Sequence, residues 1–280
     1  QERDAVAVGQ AEVQHHQRRL QHAGARERVL QRQRLLDQPA LVLQCGTHEA
    51  RHVLVTVAGL ALYGAKLLRD PQILLGPDGR YHLVWTSGWK DKGIGYANSK
   101  DLREWSEQRY LPLMEKVVGT ETCWAPELFY DPVQKHYLIV WSSAAPLAGF
   151  EKPQHRAYYT VTRDFMSFAE PKIFFDPGFN NIDTTLMRVG DKYRIVFKET
   201  DDQPAGKWGA IYAAEADRPL GPYQLLPAPI ITNERVEGPA LVTIGDRTLL
   251  YVDYYVNHRY GVRETTDWQA WTDVTKSTSV

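Results

Sequence analysis

From about residue 63 onward, hydrophobic positions fall in short runs rich in β-branched and aromatic side chains, each cut by Gly, Pro or Asp. Runs such as Tyr137-Leu-Ile-Val-Trp141 and Tyr193-Arg-Ile-Val-Phe197 read as strands. They belong to a repeated unit of strand, turn and second strand. The first copy runs from Asp70 through Gly79 to Tyr81-His-Leu-Val-Trp85, the second from Ala125 to Trp141, the third from Asp183 to Phe197 and the fourth from Glu237 to Tyr251. Equivalent positions Tyr81, Tyr137, Tyr193 and Thr248 are 56, 56 and 55 residues apart. A second element follows each hairpin: Ser99-Lys-Asp-Leu102, Thr162-Arg-Asp-Phe165, Thr265-Thr-Asp-Trp268 and, more loosely, Ala216-Asp-Arg-Pro219 on the way to Tyr223. Each reads as a turn whose Asp caps the backbone while an aromatic in or just after it packs back on the sheet.

A four-stranded unit repeating at this interval is the sequence signature of a β-propeller blade. Four blades are visible over roughly residues 66–275, and the class is all-β. Sixteen prolines and 20 glycines spread between the runs leave no sustained helical period after residue 63, which removes the α/β alternatives.

Composition then divides the chain. All 31 aromatic residues lie at Tyr63 or beyond, and residues 1–62 contain no Lys but many Gln, Arg and His. The expected organisation is an atypical leader over 1–62, disordered or loosely helical, and a propeller domain over 63–280. Val53–Ala65 is apolar enough to mimic a signal peptide, but its position inside the chain favours a propeller strand. The net charge of −1 gives no field for nucleic acid or anionic lipid, and no apolar run reaches the roughly 18 residues of a membrane helix. Two cysteines, Cys45 and Cys123, are too few for a disulfide framework and leave the redox compartment open.

In a propeller the innermost strands line a central channel, so residues at their starts converge. Three repeats are expected to place a carboxylate at the same repeat position: Asp70 before Pro71, Asp183 in Asn180-Asn-Ile-Asp, and Glu237 in Val236-Glu-Gly-Pro. Any one of them alone reads as a solvated turn residue; three together point to a site. A protonated acid for a leaving oxygen and a carboxylate to activate water, about 6.5 to 9.5 Å apart, make an inverting glycosidase. A third carboxylate nearby raises the pKa of the acid.

Together, Leu68-Arg-Asp-Pro, Cys123-Trp-Ala-Pro-Glu, Asn181-Ile-Asp-Thr-Thr with Phe197-Lys-Glu, Val236-Glu-Gly-Pro and the Ser-x-Asp-Leu-x-x-Trp turns carry a resemblance. The chain resembles glycoside hydrolase family 43, five-bladed β-propeller glycosidases acting on polysaccharides that contain arabinose, xylose and related sugars. The resemblance covers about residues 64–275. It implies Asp70 as general base, Asp183 as pKa modulator and orienter, and Glu237 as general acid. It also implies a fifth blade, of which both halves are incomplete or atypical: the chain stops at Val280 without the expected closing segment, and no aromatic-rich strand precedes Arg69. A fragment, or a leader translated in the wrong frame, would account for this.

Trp89 and Trp124 are candidate stacking platforms for a sugar ring. Glu127 is a fourth acid near the channel, suited to substrate hydroxyls or to balancing Arg69. Arg263 is a candidate substrate contact from the fourth blade, and His258 in the preceding loop reads as an exposed residue. No His/Asp spacing indicates a catalytic metal and no cofactor is required, although a structural Ca²⁺ in the channel is left open. The expected function is an inverting exo-glycosidase removing terminal arabinofuranosyl, xylosyl or galactofuranosyl residues, its partner a carbohydrate and neither nucleic acid nor membrane. A non-catalytic carbohydrate-binding propeller is the alternative. Oligomeric state is not legible. A polysaccharide substrate implies a secreted or periplasmic site, without a visible signal peptide.

Overall fold

The computed structural model describes residues 68–202 and 207–275, together with the backbone of Leu43–Gln44. Blade 1 comprises β2 (Arg69–Leu75), β3 (Tyr81–Thr86), β4 (Ile94–Ser99) and β5 (Arg109–Leu111). Blade 2 comprises β6 (Trp124–Asp131), β7 (His136–Ala145), β8 (Gln154–Thr162) and β9 (Lys172–Phe175). Blade 3 holds β10 (Asn181–Val189), β11 (Lys192–Glu199), β12 (Ile211–Ala216) and β13 (Gln224–Leu225). Blade 4 holds β14 (Glu237–Ile244), β15 (Arg247–Tyr254), β16 (Arg259–Thr265) and β17 (Thr272–Asp273). Each is an antiparallel meander of four strands, and β1 (Leu43–Gln44) adds to the first sheet by pairing parallel with β2.

The four expected blades are therefore present, with no α-helix among the described residues. No fifth sheet occurs among them. Leu43–Gln44, within the stretch expected to be disordered or loosely helical, is extended. The rest of 1–62 and the strand expected at Val53–Ala65 lie outside the described residues.

Successive side chains of a strand point to opposite faces, so a strand between two neighbouring blades must be apolar on both. The apolar runs of β7 and β11 have this cause. Ile139 and Trp141 of β7 enter the core shared by blades 1 and 2, while Leu138 and Val140 enter the core shared by blades 2 and 3. In β11, Ile195 and Phe197 face blade 2 and Val196 faces blade 4.

The Asp-centred turns complete these cores from the following blade. In blade 2, Asp164 Oδ1 accepts the amides of Met166 and Ser167, and Thr162 Oγ1 accepts that of Phe165. Phe165 is thereby driven against His82 and Tyr96 of blade 1, with ring centroids 4.5 Å away in both cases. The buried His82 is satisfied there by the Tyr96 hydroxyl at 2.8 Å and by Asp78 and the Tyr137 hydroxyl, each at 3.2 Å. Tyr223 of blade 3 packs on Phe174 and Phe175 of blade 2. Trp268 of blade 4 lies under the Arg194 guanidinium of blade 3, 4.7 Å from ring centre to Cζ.

Every innermost strand also carries one bulge near its start, at Asp70-Pro71, Ala125-Pro126, Asp183-Thr184 and Gly238-Pro239. The first residue of each is left-handed, with φ of 47°, 45°, 55° and 58°. Asp and Gly tolerate that region; Ala does not.

Ala125→Gly relieves this strain without touching a charge and is expected to stabilise by about 0.5 kcal/mol, net of the added freedom of the unfolded chain. Gly95→Ala has the opposite sign: its methyl would sit 1.9 Å from the buried Trp85 ring, and overpacking of this kind costs about 1–3 kcal/mol. Thermal or urea unfolding of both variants checks the pair; a loss of stability in the first or no loss in the second contradicts the account.

Candidate active site

The bulges aim side chains into one place. Asp70, at the first bulge, is fixed by the Thr86 hydroxyl, which donates to Oδ2 at 2.8 Å. The same Thr86 oxygen accepts the amide of Ala125 at the second bulge, also at 2.8 Å. Ser142 occupies the position of Thr86 in blade 2 and accepts the amide of Asp183 at 2.9 Å. Asp183 Oδ2 in turn accepts the amide of Gly238 at 3.0 Å. A chain of hydrogen bonds thus runs from blade 1 to blade 4 through all four bulges.

Asp70, Ala125, Asp183 and Gly238 are equivalent in register, whereas Glu237 aligns with Arg69, Trp124 and Ile182, the residue before the bulge. The expectation of three carboxylates at one repeat position is corrected for Glu237, which stands one residue earlier. Two of these pre-bulge residues meet: Arg69 Nη2 lies 3.7 Å from Glu237 Oε1, and Arg69 Nε 3.8 Å from Asp70 Oδ1. One guanidinium therefore stands between the Asp70 and Glu237 carboxylates, and Asp183 is tied to the peptide that follows Glu237.

The carboxyls differ in environment. Asp183 is pushed up to about 7, first by burial and then by the charges of Asp70 and Glu237. Glu237 is also pushed up, chiefly by burial; Arg69 and Lys198 pull it down, and Asp70 and Asp253 push it up. Asp70, by contrast, keeps 39% of its side chain exposed.

An aromatic wall adjoins Arg69. Its Cζ lies 4.6 Å from the ring centre of Trp89, which is 52% exposed. Trp124 meets Trp89 edge-on at 6.1 Å and donates its Nε1–H to the Trp89 carbonyl at 3.1 Å. His155 of β8 stacks on Trp124 at 5.4 Å. Both predicted tryptophans thus join the carboxylates.

Two predicted contacts do not. Glu127 turns between blades 2 and 3, where the Thr185 hydroxyl donates to it at 3.4 Å, and burial pushes its carboxyl up to about 8. Arg69 is balanced by Asp70 and Glu237 instead. Arg263 is engaged within blade 4 by Glu234, Asp273 and the Tyr254 hydroxyl, so its guanidinium is spent on structure. His258 is exposed in the turn after β15, as expected.

Residues missed by sequence reasoning stand across the first hairpin from the bulges. Thr86, Ser142, Lys198 and Asp253 are one register position, each five residues after the repeat anchors Tyr81, Tyr137, Tyr193 and Thr248. That spacing was available to find them. Lys198 is buried and held by Asp201 at 2.7 Å. Asp253 faces Glu237 and is pushed up by burial against the pull of Arg69 and His258.

Among the described residues no group of three or more His, Cys, Asp or Glu side chains is arranged to hold a metal ion, and no helix is long and apolar enough to cross a membrane. Cys123 is a buried free thiol; Cys45 lies outside the described residues.

A family model described as "Probable glycosyl hydrolase domain", the family-43-related group, matches residues 56–280. The chain belongs to this glycosyl hydrolase family. The match starts seven residues before the boundary expected at 63. An alpha-L-arabinofuranosidase of Bifidobacterium longum subsp. longum is 25% identical over 169 residues, half of this chain. This glycosyl hydrolase chain spans only 16% of that relative's length. Solved structures share the fold. An alpha-L-arabinofuranosidase from Lactobacillus brevis superposes with a TM-score of 0.57 at 20% identity, covering 75% of this chain and 73% of its own. A thermostable family-43 glycoside hydrolase gives 0.59 at 18% identity, covering 76% and 73%.

The partly buried Glu127 makes a pH-dependent prediction. An unfolded Glu releases its proton near pH 4.3, whereas the folded one keeps it to about 8. Its raised value therefore removes stability as pH rises through that window. Glu127→Gln should gain thermal stability over the wild type at pH 8 and little at pH 5. An equal difference at both pH values contradicts the assignment.

Proposed function

We propose that the chain is an inverting exo-glycosidase that removes terminal arabinofuranosyl residues from oligosaccharides or plant-type polysaccharides, with xylosyl and galactofuranosyl residues as the neighbouring choices. The observation that carries this reading is the pair of unlike carboxylates on either side of Arg69. Asp70 is open to water and fixed as an acceptor by Thr86; Glu237 is more enclosed, and burial pushes its carboxyl up. Groups whose environments are pushed apart in this way divide acid and base work.

In the proposed reaction a water bound at Asp70 attacks the anomeric carbon and gives its proton to the Asp70 carboxylate. Glu237 delivers its proton to the glycosidic oxygen on the opposite side, the bond to the leaving sugar breaks, and the sugar leaves with inverted configuration. Arg69 between the two carboxylates favours the wide spacing that leaves room for water. Asp183 transfers no proton. It fixes the peptide after Glu237 through Gly238 and, once it ionises near pH 7, adds negative charge that opposes loss of the Glu237 proton. Trp89 and Trp124 offer a ring face to the glycone. The arabinofuranosidase relative supports the choice of sugar, and a polymeric substrate favours a secreted or periplasmic site.

Asp70→Asn should lower kcat by about two to four orders of magnitude, the range of a lost general base. Glu237→Gln should be nearly inactive on an oligosaccharide yet retain turnover of a 4-nitrophenyl glycoside, whose leaving group departs without protonation. Side-by-side assays of 4-nitrophenyl arabinofuranoside, xylopyranoside and galactofuranoside identify the sugar. Equal losses of Glu237→Gln on both substrate types reverse the role assignment, and binding of sugars without turnover of any glycoside marks a carbohydrate-binding propeller.

Asp183→Asn supplies a separate test through the pH–rate profile. Removing its charge lets Glu237 ionise sooner, so the alkaline limb of kcat should move to lower pH. An unmoved limb removes Asp183 from that role.

A further inference from the structure

The segment leading into β14 alternates: Arg235 is exposed, Val236 is fully buried, and Glu237 is half-buried. Arg235 and Glu237 thus flank a buried residue, and both stay accessible. The Arg235 guanidinium lies over Trp208, 3.7 Å from Cζ to the ring centre. Trp208 comes from blade 3, just before β12, and its position is fixed by its neighbour. Gly209 packs so tightly that a Cβ there would stand 1.9 Å from the Glu199 carbonyl, and its amide donates to Asp201 Oδ1 at 3.0 Å. Asp201 also holds the buried Lys198 and accepts the Tyr255 hydroxyl at 3.0 Å. The Tyr255 ring end in turn senses the charges of both Glu237 and Arg235.

This platform mirrors the Arg69–Trp89 pair, with one difference. Arg69 stands between two carboxylates and Lys198 is neutralised by Asp201, whereas Arg235 has no ion pair among the described residues. Its planar set of donors is exposed, and the face of Trp208 beneath it holds the guanidinium in place at low entropic cost. Trp89 and Trp124 belong to blades 1 and 2, on the Asp70 side; Trp208 and Arg235 belong to blades 3 and 4, on the Glu237 side.

An acid that protonates the glycosidic oxygen must have the leaving group beside it, while the base and its water occupy the other face of the glycone. We propose that Arg235 and Trp208, backed by Tyr255, form the leaving-group subsite, which takes the hydroxyl-bearing sugar ring next to the cleaved bond. The guanidinium donates to adjacent ring hydroxyls and the indole supplies an apolar edge. The inference rests on Glu237 being the acid.

The test uses the full chain with unbranched xylo- and arabino-oligosaccharides, which stand for the leaving group. Titration calorimetry should show that Arg235→Ala and Trp208→Ala each weaken binding about tenfold, with Arg235→Lys falling between. In kinetics, both alanine variants should lose about tenfold more kcat/KM on a branched oligosaccharide than on a 4-nitrophenyl glycoside, whereas Trp89→Ala should lose similar factors on both. Arg235 is exposed, so its variant keeps the test decisive even if Trp208→Ala unfolds. Oligosaccharide binding that is absent in the wild type, or unchanged in Arg235→Ala, overturns the subsite. Binding that depends on Arg235 in a protein that cleaves no glycoside upholds a sugar-binding site at Arg235 and Trp208 but overturns the catalytic reading and with it the leaving-group role.

Discussion

The left-handed bulge at the start of each innermost strand determines the geometry of the site. It turns the backbone amide of Ala125, Asp183 and Gly238 toward the preceding blade, where Thr86, Ser142 and the Asp183 carboxylate accept it. A bulged residue costs backbone energy, so it persists only where surrounding contacts over-determine it. Here the same contacts that hold the bulges also join the blades. Loosening one bulge would therefore displace a carboxylate and weaken a blade interface at once.

The sites that gather around this ring of bulges share one electrostatic theme. Negative side chains concentrate at the channel, and each cation near them has a different task. Arg69 separates Asp70 from Glu237, and Lys198 pulls against the upward push on Asp183 and Glu237 from a buried position of its own. Arg235 stands outside this balance, over an indole. Burial is the first cause of the displaced carboxyls; neighbouring carboxylates come second at Asp183, whereas at Glu237 and Asp253 the next influence is the opposing pull of Arg69. Solvent exclusion thus contributes more than any single partner.

The blades were legible because a strand buried on both faces leaves an unmistakable apolar run, and the runs at Tyr81, Tyr137, Tyr193 and Thr248 keep their spacing. The register of the acids was less so. Turns between the first and second strands vary from 76–80 in blade 1 to 245–246 in blade 4, so counting back from the anchor does not land on the same position. Glu237 consequently reads one place late in the repeat. Arg263 misled for a different reason: a chemically suitable side chain in the right blade was already committed to Glu234 and Asp273. Pairing of this kind depends on the register of β16 with β17, which no local motif encodes. Lys198 and Asp253 were recoverable, because the position opposite the bulge follows the anchors at constant distance.

The aromatic turns that seal each interface from the following blade give the fold a direction. Blade 1 keeps His82 dry only after Phe165 of blade 2 has arrived, and blade 2 covers Phe174 and Phe175 only when Tyr223 of blade 3 is in place. Each blade is born with an open socket and carries the stopper for its predecessor. A chain emerging from the ribosome would therefore hide its apolar surface one step behind synthesis, with the newest blade always the sticky one. Stability in such an array accrues at the seams between neighbours, so cutting the chain between blades exposes a hole as well as removing a piece.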